Sequence, residues 1–147
     1  MTCVSQCPSD PDYYAYNVTL SNGVLVEGLC VLLCPMLPVA FYRHEPTREC
    51  LPTCPAPNYF RDESTLRCVT QCPPYFYAEV INQICVANCG INLKYAYQGI
   101  CYNICPNNTN ADPTTYLCVD TCPFGYFAEA GVCVANCLSG YADPFLK

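Results

Sequence analysis

The sequence predicts a small disulfide-rich fold: a tandem array of about eight short β-finger units stacked into an elongated rod, with little regular secondary structure. Three observations predict it. The 147 residues include 16 Cys, a density typical of disulfide scaffolds. Those Cys form eight pairs of one spacing, Cys-x-x-x-Cys, at 3/7, 30/34, 50/54, 68/72, 85/89, 101/105, 118/122 and 133/137. The chain also has 14 Pro, many beside Cys, which fix φ and withhold backbone donors and so block long helices and central strands.

The array reads as continuous over 1–147, with units starting near 3, 30, 50, 68, 85, 101, 118 and 133. Val follows the first Cys of a pair six times and Pro follows the second six times. Residues 72–89 (CPPYFYAEVINQICVANC) and 122–137 (CPFGYFAEAGVCVANC) are near copies. Self-similarity at this period marks a repeat architecture in which each unit stacks on its neighbours. Two or three residues of strand are expected on either side of each fingertip.

Composition narrows the chemistry. A net charge of −6 argues against nucleic acid and anionic membrane surfaces as partners. A single His, His44, leaves little for a His-based metal site or catalytic relay. Zinc sites usually mix in two-residue Cys spacings, and a metallothionein-like cluster would not carry 13 Tyr and 6 Phe. Oxidised cysteines in an extracellular protein fit best. The Asn-x-Thr sequons at Asn17 and Asn107 fit the secretory route and N-linked glycans. No catalytic, metal-binding or cofactor-binding residue is expected, and no enzyme activity.

If the second Cys of each pair bonds the first of the next, the bridges are Cys7–Cys30, Cys34–Cys50, Cys54–Cys68, Cys72–Cys85, Cys89–Cys101, Cys105–Cys118 and Cys122–Cys133. They enclose 22, 15, 13, 12, 11, 12 and 10 residues, the size of a short hairpin closed at its base. Each would contribute roughly 3 kcal/mol by constraining the unfolded chain. The alternative, a bridge within each pair, is geometrically possible but closes tiny rings and leaves successive repeats untied.

The strings CVTQCPPYFY (68–77) and CVDTCPFGYF (118–127) resemble the furin-like, or growth-factor-receptor, cysteine-rich repeat, tandem arrays of which occur in large extracellular proteins of protists. The resemblance covers nearly the whole chain. It implies β-fingers closed by the Cys before Pro and the next Cys, the between-pair scheme. The chain departs from that pattern in having no Cys-x-x-Cys pairs, and Pro is missing after Cys89 and Cys137.

Along the chain, residues 8–22 form a Pro-, Asp- and Tyr-rich loop. Residues 23–41 are the most apolar run, but Glu27, two Cys and two Pro interrupt it short of the ~20 apolar residues of a membrane span. A buried strand pair, VLV then CVLLC, is expected there, with a contact between copies as the sharper reading. Residues 42–67 hold Arg43, His44, Arg48, Arg61 and Arg67 among Glu45, Glu49, Asp62 and Glu63, a pattern predicting a solvated mixed-charge face. Tyr59, Phe60, Tyr75, Phe76, Tyr77, Tyr126 and Phe127 follow the Cys-Pro steps, and a ring covering each neighbouring cystine is expected. A carbohydrate-stacking strip is the alternative. The Asp-Pro loops carry only a weak calcium signal.

The between-pair scheme leaves Cys3 and Cys137 over. Joined head to tail, the sequence between them stays in frame with the repeat. Either the chain is a segment of a longer array or copies join through an intermolecular Cys137–Cys3 bond, a contact that does not close and so extends; a third explanation, a Cys3–Cys137 bond within one molecule, requires a closed ring of units, whereas stacked fingers more naturally extend. The functional expectation is a structural extracellular or cell-surface protein of a fibre, coat or appendage, partnered by copies of itself or neighbouring repeats. The alternatives are the ectodomain stalk or ligand platform of a surface receptor, adhesin or surface antigen, and an accessory region of a secreted enzyme.

Overall fold

A computed structural model describes residues 6–10, 12–19, 25–36, 39–138 and 140, with the side chains of 18, 19 and 25–27 left aside. The fold is all-β and disulfide-rich: fourteen short strands and seven disulfides, with no helix, among the described residues. The strands are β1 (Tyr14–Thr19), β2 (Leu25–Val31), β3 (Tyr42–His44), β4 (Glu49–Leu51), β5 (Phe60–Asp62), β6 (Arg67–Val69) and β7 (Tyr77–Glu79). They continue as β8 (Ile84–Val86), β9 (Tyr95–Tyr97), β10 (Ile100–Tyr102), β11 (Asn110–Asp112), β12 (Leu117–Val119), β13 (Phe127–Glu129) and β14 (Val132–Val134).

A finger is an outgoing strand, a tight tip and a return strand. Its central pair sets a residue of the outgoing strand against the Cys of the return strand, as in Arg43↔Cys50, Arg61↔Cys68, Ala96↔Cys101, Ala111↔Cys118 and Ala128↔Cys133. Cys50, Cys68, Cys101, Cys118 and Cys133 are all buried, while their strand neighbours are partly or largely exposed. Cystines thus replace the aliphatic core that strands this short cannot assemble.

Local chemistry sets the tips. Four-residue tips end on a left-handed residue just before the return strand: Arg48 (φ 55°), Leu66 (55°), Gln83 (52°) and Tyr116 (58°). Two-residue tips, Gln98-Gly99 and Ala130-Gly131, have positive φ at both positions, the turn whose twist matches a hairpin. The step after the second Cys is a turn closed by Phe76 N–H to Pro73 O, Thr109 N–H to Pro106 O and Tyr126 N–H to Pro123 O. Its third residue is left-handed in each case: Tyr75 (70°), Asn108 (67°) and Gly125 (86°).

The residues group into two compact units, one of residues up to 72 with 83–85 and one of 73–82 with 86 onward. In the first unit, strands neighbour in the order β8-β5-β6-β3-β4-β1-β2, and in the second in the order β13-β14-β11-β12-β9-β10-β7. Neighbouring fingers meet by one parallel bridge, between a residue of an outgoing strand and the residue before the next return Cys: Ala15↔Glu49, Arg43↔Arg67 and Arg61↔Ile84 in the first unit. The second unit repeats it at Ala78↔Ile100, Ala96↔Leu117 and Ala111↔Val132.

Several expectations from the sequence fail. Residues 14–19 of the expected 8–22 loop form strand β1, and β1 and β2, at six and seven residues, exceed the two or three residues of strand expected per finger side. The CVLLC segment is not a buried strand: β2 ends at Val31, and Leu32, Leu33, Met36 and Val39 are exposed. The run sits at a junction between fingers, where the chain leaves the ladder after its Cys. The 42–67 region is not a uniformly solvated charged face either, because His44 and Asp62 are buried.

Candidate functional site

Each described finger is closed by one cystine: Cys7–Cys30, Cys34–Cys50, Cys54–Cys68, Cys72–Cys85, Cys89–Cys101, Cys105–Cys118 and Cys122–Cys133, with Cα separations of 5.4–5.6 Å. These separations lie in the unstrained range. Cys137 is a half-buried free thiol. Cys3 lies outside the described residues.

A second recurring device is a polar residue at the end of the outgoing strand, reaching into the tip. Asp62 accepts from the Ser64 N–H (3.0 Å), the Ser64 hydroxyl (2.6 Å) and the Thr65 hydroxyl (2.6 Å). Asp112 does the same with the Thr114 N–H (2.9 Å), the Thr114 hydroxyl (2.7 Å) and the Thr115 hydroxyl (2.7 Å). Glu79 accepts from Ile81 N–H and Asn82 Nδ2, and His44 Nδ1 meets Thr47 Oγ1 at 2.9 Å. Burial pushes the Asp62 carboxyl up, but the donors of Ser64 and Thr65 outweigh it and hold its pKa below the ordinary value. The Thr114 hydroxyl, working against burial, does the same for Asp112, with the Thr114 N–H and Thr115 adding to it. These carboxylates are therefore committed to the tips. The Asp112-Pro113 loop, weakly suggestive of calcium in the sequence, spends its acid on its own hydroxyls. The spacing Asp-x-Ser/Thr-Thr at 62–65 and 112–115 was a readable signal for these turns.

The third device joins fingers. At six junctions a residue of the outgoing strand donates its N–H to the carbonyl of the left-handed tip residue of the next finger. In the first unit the bonds are Ala15 to Arg48 (2.8 Å), Arg43 to Leu66 (2.8 Å) and Arg61 to Gln83 (2.8 Å). In the second they are Ala78 to Gly99 (2.7 Å), Ala96 to Tyr116 (2.9 Å) and Ala111 to Gly131 (2.8 Å). The left-handed conformation turns that carbonyl out of its own hairpin, which explains why non-glycine residues bear the strain.

Side chains reinforce the junctions. Arg43 and Arg48 lie over the Tyr14 ring at 5.8 and 5.2 Å, and Arg61 lies over Tyr42 at 5.8 Å. Burial pushes the Tyr14 phenol up, and its hydrogen bond to Glu45 (2.7 Å) adds to the shift. Arg48 also donates to the Tyr13 carbonyl (2.8 Å) and pairs with Asp12 (3.4 Å). Tyr59 packs on the cluster of Tyr42, Cys54 and Cys68, so that ring covers a cystine. Tyr75 does not: it is 91% exposed, because its left-handed turn position projects it outward.

In the second unit, Tyr75, Tyr77, Asn88, Lys94, Thr115 and Tyr116 line much of a groove of about 290 Å³. The Lys94 ammonium sits 5.6 Å from the Tyr95 ring centre and 5.2 Å from that of Tyr116. Asn17 and Asn107 are both exposed. Asn17 Oδ1 accepts from Gly28 N–H (3.0 Å), and Asn107 stands at the corner of the turn in which the Thr109 hydroxyl donates to Pro106 O. Among the described residues no group of three or more His, Cys, Asp or Glu could hold a metal ion, and no helix is long and apolar enough to cross a membrane. No family model and no curated protein matches the chain.

Proposed function

We propose that the chain is a non-enzymatic, disulfide-stapled structural protein of the cell exterior, contributing to a fibre, surface coat or appendage. The observation that carries this reading is the recurrence of one finger-to-finger bond and one cystine per finger, with the buried acids spent on fingertip turns. Such a scaffold stores its stability in each finger. Ordering costs roughly 1.5 kcal/mol per residue, which three-residue strands cannot offset by burial, so covalent closure carries the difference. The oxidising compartment follows from the same need. In this reading the units belong to a furin-like array, Asn17 and Asn107 carry N-linked glycans, and copies join head to tail through Cys137 and Cys3.

Electron microscopy and circular dichroism of the native protein before and after a thiol reductant test the proposal. Ordered fibres or coats that disperse, with loss of β-signal, are expected on reduction; material indifferent to full reduction would refute it. The groove favours one second reading, a stalk or ligand platform of a surface protein. Monodisperse native protein that binds a ligand lost on Tyr116→Ala would favour that reading.

A further inference from the structure

The junctions ask for a left-handed backbone at a tip and nothing of its side chain, so a bulky residue there needs another reason. Elsewhere in the second unit the left-handed places go to residues that adopt them cheaply. Gly99 and Gly131 end two tips, and Asn108 and Gly125 hold the corner after the second Cys. Tyr116 stands at the equivalent tip place and Tyr75 at the equivalent corner, where a bulky side chain is an outlier. Strain kept on particular side chains points to a use for them. Among the described residues these are the two aromatic residues at positive φ, and both line the groove of about 290 Å³.

A third position departs at the same place. The residue before the outgoing strand is aromatic in five fingers, as Tyr13, Phe41, Tyr59, Phe76 and Tyr126. Before β9 it is Lys94, which also lines the groove. Its ammonium sits over Tyr116 and pairs with no carboxylate among the described residues. The acids of the adjoining tips, Glu79 and Asp112, are buried and bonded to their own tip donors, so neither neutralises it. Asn88 adds an amide donor and acceptor, and Thr115 gives its proton to Asp112 and keeps its oxygen as an acceptor. The Ala96 N–H to Tyr116 O bond (2.9 Å) fixes one wall against β9.

Resting on the ligand-platform reading above, we propose that this groove binds a hexuronate residue of an extracellular glycan, its ring against Tyr75 and its carboxylate on Lys94. The sugar hydroxyls meet Asn88 and Thr115. A volume near the lower end of small-ligand sites, ~300 Å³, suits one such residue. A neutral sugar would leave the ammonium unpaired, and an acidic peptide would leave the ring face of Tyr75 uncovered.

Calorimetry and amide NMR on the full oxidised chain test this with three probes. They are short oligomers of galacturonate, mannuronate and guluronate; the methyl esters of these, which keep the rings and lose the charge; and a glutamate-rich peptide, which keeps the charge without the rings. A hexuronate is expected to bind with amide shifts at Tyr75, Thr115 and Tyr116, and its ester roughly tenfold more weakly, the worth of one charge-assisted hydrogen bond. Lys94→Met should remove that difference. Tyr75→Gly installs the residue found at Gly125, so it should keep the disulfide pattern and the denaturant midpoint while weakening acid and ester alike by roughly threefold to tenfold. Esters that bind as well as the acids, or a Tyr75→Gly chain that binds at wild-type strength, would overturn the assignment. A peptide that binds where hexuronates do not, and is lost on Tyr116→Ala, would overturn the assignment and leave the platform reading standing. A chain that binds none of the three overturns the assignment, and the platform reading with it where the native protein is found in fibres.

Discussion

Asp112 is the sharpest place to test whether fingertip carboxylates hold the fold. Its side chain is almost fully enclosed, at 1% exposure, and it accepts from one backbone N–H and two hydroxyls of the 113–116 tip. Hydrogen bonds to a charged acceptor contribute roughly 1.5–3 kcal/mol each when the donor is left without an alternative. Here Thr114 and Thr115 are themselves exposed, so water recovers much of the hydroxyl loss, and Asp112→Ala should cost about 2–3 kcal/mol in total. Asp112→Asn keeps an oxygen for Thr114 but turns an NH₂ toward the Thr115 hydroxyl, so about 1–2 kcal/mol is expected. Native-state amide exchange is the right assay, because intact disulfides confine opening to one finger. Protection should fall at Ala111 and Tyr116, whose amides bond Gly131 and Asp112, and remain unchanged at Ala15 and Arg43. A change below about 0.5 kcal/mol at Ala111, or equal loss of protection in every finger, would refute the reasoning.

Three further outcomes are expected. Asp62 and Asp112 have folded-state pKa values below the ordinary carboxylate value, so the folded state binds fewer protons than the unfolded one. The stability they contribute is present above the unfolded range near ~3.9 and lost as pH falls through the lower folded values; amide exchange on both tips from neutral to acid should show loss only there, and loss beginning well above that range would contradict it. Arg48→Ala removes the bonds to the Tyr13 and Pro8 carbonyls and the cation over Tyr14, and should speed exchange of the Ala15 amide by about 2 kcal/mol; unchanged exchange would show that the Arg48 backbone alone holds that junction. Gly131→Ala places a Cβ at φ 78° with nothing within 4 Å of it, so its cost is backbone strain alone, about 1–2 kcal/mol by denaturant titration, and a stabilised variant would refute a left-handed Gly131.

The repeat was legible because Cys, Pro and the hairpin tips are local signals. Cys spacing sets the finger length, and the three-residue strands β3 to β14 follow from the space between a tip and its Cys, whereas the longer loop between Cys7 and Cys30 carries strands of six and seven residues. The burial of His44 and Asp62 was less legible, since charge in the sequence reads as solvated until a tip folds over it. The signal was present in the hydroxyl residues two and three positions further on, as in Asp62-Glu63-Ser64-Thr65. Exposed Leu33 and Met36 and outward-facing Tyr75 were not legible at all. Their directions are decided by junction turns, such as the left-handed corner at Tyr75, and hydrophobicity carries no information about those.

The same geometry explains why the array tolerates so much variation at the donor position of its outgoing strands. That position holds Ala15, Arg43 and Arg61 in the first unit and Ala78, Ala96 and Ala111 in the second, yet the inter-finger bond stays within 2.7–2.9 Å. The junction is carried by backbone groups, so a side chain there needs only to clear the neighbouring tip. The tip residue is equally free in identity, from Arg48 to Gly131, provided it is left-handed. Conformation and cystine placement are therefore the conserved currency between fingers within each unit, and side-chain complementarity is secondary.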